Sequence, residues 1–241
     1  MKFQDRRSKK IVFVSHCIIN CNNKFPGYAD IAGAYTDFVI PILEAGIGIF
    51  QMPCCEALGW GGVGRRHIEF DLDKNRLDQD WIKEYPQLCT WWANWTADRL
   101  QDYVVNGYKI LAIIHIQDSP TCGLDFVDPF PQIHFDLLDR GVTWKNLVFE
   151  QLIANLETPE EMARRGAVGT GAFGGALRDE LCRRSLDVPW LGYVPSKPIE
   201  EQSQQILNAL GLKSKQNIED STSDSIGAIQ GEEERRKGFG D

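Results

Sequence analysis

The stretch Lys109 to Ile116 (KILAIIHI) constrains the fold more than any other part of the chain, because it is a nearly continuous apolar run rich in isoleucine. Such a run suits the middle of a parallel sheet that is covered on both faces. Lys10 to Val14 (KIVFV) is a second β-branched run of buried-strand type, and it stops at Ser15-His16-Cys17. From Gly33 to Ala45 the residues Tyr35, Phe38, Val39, Ile42 and Leu43 recur at helical spacing, with Gly46 as the stop, and Ile47 to Gln51 reads as another strand. Asp78 to Asn106 carries Trp81, Leu88, Trp91, Trp92, Trp95, Leu100, Tyr103 and Val104 at helical spacing, and Pro86 is expected to divide or kink it. Leu147 to Arg165 and Gly171 to Ser185 read as further helices, and Val188 to Val194 as a late strand. Alternating strands and helices predict a doubly wound α/β domain with a mostly parallel, Rossmann-like sheet over residues 1–212. From Lys213 the composition turns to Ser, Asp, Glu, Lys and Gly, so 213–241 is expected to be a disordered tail.

Composition narrows the function. With 43% hydrophobic and 25% charged residues, the chain has the profile of a globular protein, and 26 Lys+Arg against 34 Asp+Glu leave a net charge of −8. That balance argues against a broad nucleic-acid or anionic-membrane surface. The basic N-terminal stretch is followed by an apolar segment broken at once by Ser15, His16 and Cys17, so it does not read as an export signal. No run approaches the roughly 18 to 20 apolar residues of a membrane helix, and a cytoplasmic protein is expected. In that compartment seven cysteines read as thiols, metal ligands or nucleophiles rather than disulfides.

Three of these cysteines share a position. Cys17, Cys54 or Cys55, and Cys122 each follow the C-terminal end of an expected strand, and in an open parallel sheet those ends share the edge where ligand crevices form. A single cysteine beside a strand is usually a small core hydrophobe. Three at one edge, beside Pro and Gly turns, suit a soft metal or an iron–sulfur cluster with one coordination position left open. Cys89 and Cys182 fall within helical patterns and read as structural, while Cys21 stays open. His115 reads as a core residue and the tryptophan series as core or interface. Gly169-Thr170-Gly171-Ala172-Phe173-Gly174 matches a dinucleotide-binding pattern, but no convincing strand precedes it. Close approach of a helix N-terminus to substrate or to another chain element is the better use for these glycines.

Ser15-His16-Cys17-Ile18-Ile19-Asn20 with Lys24-Phe25-Pro26-Gly27, then Cys54-Cys55-Glu56 with Gly59 and Arg65, then Ser119-Pro120-Thr121-Cys122-Gly123 follow one another in order. In this the chain resembles the thiouracil desulfidases, whose elements are Ser-x-Cys-Leu-Leu-Gly, an Arg-Tyr-Asp-Gly turn, Cys-Pro-Glu and Ser-Pro-Ser-Cys-Gly. The resemblance runs from Ile11 to Val194. It implies a [4Fe-4S] cluster held by Cys17, Cys54 and Cys122 with one iron not bound by protein. It also implies Glu56 and Ser119 as the residues that act on a thiolated pyrimidine, nucleoside or related heterocycle, and non-redox release of its sulfur. Departures from the pattern are Cys55 for the proline, Asn20 for a glycine, Lys24 for the arginine, whose bidentate fork it lacks, and Pro26 for the aspartate. Motif register favours Cys54 over Cys55 as second ligand. Two other classes stand beside the enzyme: a [4Fe-4S] sensor or electron carrier without turnover, and a zinc-stabilised or metal-free binding module.

Overall fold

A computed structural model describes residues 5–25, 28–59, 61–63, 79–117, 119–124, 170–195 and 197–212, with side chains only from residue 85 onward in the helix that begins at Gln79. The expected helix at Leu147 to Arg165, the tail at 213–241, Pro26, Arg65 and the side chain of Trp81 lie outside the described residues.

Among these residues four parallel strands form one sheet in the order β2-β1-β3-β4: β1 (Lys10–Val14), β2 (Gly48–Gln51), β3 (Lys109–Ile116) and β4 (Trp190–Tyr193). The two most apolar runs, β1 and β3, occupy the centre, as strands buried on both faces must. Parallel neighbours need crossover connections. Among the described residues the helices are α1 (His16–Ile19), α2 (Thr36–Glu44), α3 (Cys55–Gly59), α4 (Gln79–Val105), α5 (Ala172–Arg183) and α6 (Ile199–Ala209).

The period of two along a strand divides the core into two layers. Val12, Val14, Ile114, Ile116 and Tyr193 face α2 and α6, where they meet Phe38, Ile42, Ile206 and Leu207. Ile11, Phe13 and Ile113 face the other way, onto Cys89, Ala93, Ala97 and Leu100 of α4 and Phe173, Leu177 and Leu181 of α5. A register shift keeps this division intact: Ile11 pairs with Ile110 but Val12 with Ala112, so Leu111 is the extra residue of a bulge. Beyond the bulge, Phe13 and Ile113 lie side by side facing α4 and α5, and Val14 and Ile114 face α2 and α6.

Helix ends agree with the sequence where glycine supplies a positive φ. Gly46 (φ 70°) and Gly107 (φ 77°) end α2 and α4. In both, the residue after the glycine bonds back five residues, Ile47 to Ile42 and Tyr108 to Tyr103, which turns the chain into the next strand. Pro86 does not divide α4, which runs unbroken from Gln79 to Val105. Proline removes one hydrogen bond of the ladder, whereas the row Cys89, Ala93, Ala97 and Leu100 is packed against the sheet and α5 along the rest of the helix.

Helix α6 was not expected from the sequence, since most of its residues are polar. It is held by Ile206 and Leu207 and by the buried Gln202, whose amide receives the Val194 N–H (2.6 Å) and donates to the carbonyls of Val194 (2.8 Å) and Lys197 (2.9 Å). Among the described residues no helix is long and apolar enough to cross a membrane.

Phe13 is fully buried on a central strand, stacked on Phe50 with centroids 4.5 Å apart and edge-on to Tyr103 at 6.0 Å. Phe13→Ala is expected to cost about 3–5 kcal/mol, read as the shift in a urea unfolding curve. A loss below 1 kcal/mol would show that this layer repacks freely.

Candidate functional site

All strands point the same way, so the segments after β1, β2 and β3 leave the sheet on one edge. The chain runs outward from β1 to β2, then returns past β1 to β3 and on to β4, so its direction reverses between the two central strands. At such a reversal, neighbouring loops part and leave a crevice.

After β1, the Ser15 N–H bonds to the Ile114 carbonyl (2.9 Å), which places Cys17 in the single turn of α1. After β2, the Met52 N–H bonds to the Val14 carbonyl (2.8 Å), and Cys54 stands at the start of α3. There the Cys54 Sγ accepts the Ala57 N–H at 3.4 Å, a sulfur taking the role of a helix cap. After β3, residues Ser119 to Gly123 form a tight turn in which Ser119 Oγ accepts the N–H groups of Thr121 (3.2 Å) and Cys122 (3.1 Å).

The N-terminus of α5 docks on that turn. Gly171 N–H donates to the Gly123 carbonyl (2.7 Å), Ala172 to Pro120 (3.0 Å), and Phe173 and Gly174 both to Thr121 (2.9 Å each). A Cβ on Gly171 would stand 2.6 Å from the Thr121 carbonyl carbon, and one on Gly174 2.6 Å from the Cys122 oxygen. These glycines therefore let backbone approach backbone. The first amides of α5 are spent on protein carbonyls, so of the two uses expected for this helix start the structure shows contact with another chain element.

The thiols of Cys17, Cys54 and Cys122 lie within electrostatic reach of one another. Enclosure by protein pushes the Cys17 thiol well above its ordinary range; Cys122 and Cys54 push it further, and the Lys24 ammonium pulls it back. Burial likewise pushes Cys122 up to about 12, reinforced by Cys54 and Glu56. The Ser15 hydroxyl opposes this: its buried Oγ makes no well-formed hydrogen bond but lies close enough to the Cys122 thiol to ease its ionisation. Of the two adjacent cysteines, Cys55 turns into the core beside Cys89, which hydrogen-bonds its thiol and, with burial, drives it upward. Cys54, partly exposed, is the one whose charge reaches both Cys17 and Cys122. The Cys21 Sγ donates to the Cys17 carbonyl at 3.3 Å, a structural use, and Cys182 is exposed on α5.

Among the described residues no three His, Cys, Asp or Glu side chains are gathered as ligands of a single metal ion. A cluster makes a different demand, because its ligands bind separate irons and stand apart around a larger body. Three soft thiols from the segments after three strands, mutually coupled, match that donor chemistry. Enclosed thiols of raised pKa gain most from a cation that takes their protons' place.

Glu56 lies in the first turn of α3, and its Oε2 is 3.4 Å from Thr121 Oγ1. Thr121 Oγ1 is in turn 2.6 Å from the hydroxyl of Tyr85 on α4. With both lone pairs of Ser119 Oγ committed to backbone N–H groups, that hydroxyl can offer a ligand only its proton. Lys24 forms an ion pair with Asp30 and donates to Tyr35 Oη (2.6 Å), whose own proton goes to Asp30 (2.7 Å). Burial works against the Asp30 carboxylate, but the bonds from Lys24 and Tyr35 outweigh it and hold its pKa below the usual range. His115 is buried in β3, edge-on to Trp190 at 5.7 Å, and Trp92 and Trp95 pack against each other near Phe50. Tyr85 and Thr121 were not singled out from the sequence. Thr121 sat inside a recognised motif, whereas nothing about Tyr85 distinguishes it from other aromatic residues of an amphipathic helix.

The chain is 32% identical over 120 residues to "Uncharacterized protein MJ0003" of Methanocaldococcus jannaschii, a match covering 49% of this chain and 70% of that protein. No family model matches, and no solved structure matches.

Gly174→Ala is expected to destabilise the protein by about 1–3 kcal/mol, because the methyl group meets backbone that cannot swing aside; a thermal melt equal to wild type would refute the close docking of α5. A pH effect follows from the raised thiols. In metal-free protein the unfolded Cys122 ionises near its ordinary 9.0 while the folded one holds its proton to about 12. The unfolded state therefore binds fewer protons, and stability falls as pH rises from 9 to 12. Urea midpoints across that range should decline less steeply in Cys122→Ala; equal slopes would contradict the assignment.

Proposed function

The chain belongs to the same family as that archaeal protein, and from the residues at its strand ends we propose that it is a [4Fe-4S]-dependent desulfidase that hydrolyses the C=S bond of a thiolated pyrimidine or related heterocycle. The observation that carries this reading is the electrostatic coupling of Cys17, Cys54 and Cys122, with Glu56 and Ser119 on the same two loops as the second and third thiols. Cys17, Cys54 and Cys122 would hold the cluster. When bound, a cluster with one iron free of protein ligands supplies a Lewis-acidic site for soft sulfur.

The chain's own residues then have defined tasks. Glu56 takes a proton from the water that attacks the thiocarbonyl carbon; the C–O bond forms, the C–S bond breaks, and sulfur leaves as sulfide with the carbonyl product behind. No electron is gained or lost. Ser119, able only to donate, binds an acceptor on the ring, a carbonyl oxygen or an unprotonated nitrogen. Lys24, paired with Asp30, adds positive charge close enough to favour the Cys17 thiolate. The balance of acidic over basic residues fits a small-molecule substrate rather than a polynucleotide.

Protein purified without oxygen is expected to carry about four irons and four sulfides and to release sulfide from 2-thiouracil with no added reductant. Glu56→Gln should slow release by about 10²- to 10⁴-fold at unchanged iron content. Colourless, iron-free protein after anaerobic reconstitution would defeat the proposal. Zinc without inorganic sulfide would select a structural metal module, and an intact cluster with no turnover would select a sensor or electron carrier.

A further inference from the structure

We propose that Tyr85 is a positioning residue for Glu56, acting through Thr121 in a chain of hydroxyl groups that runs from α4 across the turn of Cys122 to α3. This rests on the reading of Glu56 as the proton acceptor and adds to it a residue from an element that the three cysteine motifs do not include.

Tyr85 Oη lies 2.6 Å from Thr121 Oγ1, and Thr121 Oγ1 lies 3.4 Å from Glu56 Oε2. Proton counting sets the direction. An ionised carboxylate only accepts, and a threonine hydroxyl has one proton. If Thr121 gives that proton to Glu56, it must receive one from Tyr85. The Tyr85 hydroxyl is suited to a permanent donor's role, because burial, and then the nearby Cys89 and Glu56, hold its proton in place far above the ordinary tyrosine range.

Thr121 is also a rigid link. Its N–H is bound by Ser119 Oγ, and its carbonyl takes the N–H groups of Phe173 and Gly174. Its β-branched side chain has few rotamers on so fixed a backbone. The Thr121 hydroxyl thus reaches Glu56 from a platform defined by the sheet edge, the start of α5 and the buried end of Tyr85. The contact to Glu56 is long, as catalytic hydrogen bonds often are before a ligand closes the site. Loss of the chain would take from Glu56 the contact that Thr121 makes with its carboxylate, and misplacing a reacting group by about 1 Å can cost about 10²-fold in rate.

The test compares wild type, Tyr85→Phe, Thr121→Val and Thr121→Ser as full-length, anaerobically reconstituted protein. Iron content, thermal melting, and kcat and KM for sulfide release from 2-thiouracil would be measured. In Tyr85→Phe and Thr121→Val, kcat should fall about 10- to 100-fold with little change in KM or iron content, and Thr121→Ser should recover most of it. Unchanged kcat in Tyr85→Phe, or a loss in Thr121→Ser as large as in Thr121→Val, would overturn the inference. Should Thr121→Val not fold, Tyr85→Phe decides. If the wild type releases no sulfide, the proposed reaction fails, and crystal structures of wild type and Tyr85→Phe decide the positioning role separately. A Glu56 carboxylate that turns away in the variant supports it, and one that keeps its place overturns it.

Discussion

The parallel pairing of β1 with β3 is the constraint on which the rest depends. It places two buried strands side by side with their C-terminal ends on one edge, and because β2 and β4 lie outside them, the chain reverses direction between them. The segments carrying Cys17 and Cys122 leave the sheet at that reversal, and β2, hydrogen-bonded to β1, delivers Cys54 to the same edge. The bulge at Leu111 keeps the faces of β1 and β3 in step, so that both layers of the core can pack.

What the edge creates is a shortage of positive charge around sulfur. The enclosed thiols of Cys17 and Cys122, whose ionisation burial and neighbouring sulfur oppose, are poor nucleophiles and poor acids without metal, and a cationic body bound between them would relieve both at once. The chain supplies partial relief of its own. Lys24 acts on Cys17, the Ser15 hydroxyl acts on Cys122, and the Ala57 N–H points at Cys54. That each of the three sulfurs has a separate favourable partner, while Cys55 and Cys89 are left to each other in the core, separates the proposed ligands from the remaining cysteines better than sequence spacing does.

Strand composition made much of this legible. Lys10 to Val14 and Lys109 to Ile116 coincide with the observed strands, and Gly46 marks a helix stop, because burial on two faces and a positive φ leave plain marks in residue type. The places of Cys17, Cys54, Glu56, Ser119 and Cys122 close behind strand ends were readable as well. Less legible were features that depend on partners far apart in sequence. Pro86 looked like a break, but the packing row from Cys89 to Leu100 outweighs one missing hydrogen bond. Helix α6 has no long apolar row to announce it, since much of its anchorage is an amide, Gln202, bonded to the turn after β4. Tyr85 carried no signal at all.

By itself, then, the amino-acid sequence determined which segments are strands, which cysteines follow them, and that the sheet is parallel, because local conformation and burial on two faces are written in residue type and period. Tertiary structure alone decided the strand order, the burial of Cys55 against Cys89, the use of the α5 amides on the Cys122 turn, and the meeting of Tyr85, Thr121 and Glu56. Those outcomes depend on packing between groups separated by tens of residues, where many pairings are compatible with the same local pattern and the whole core selects among them.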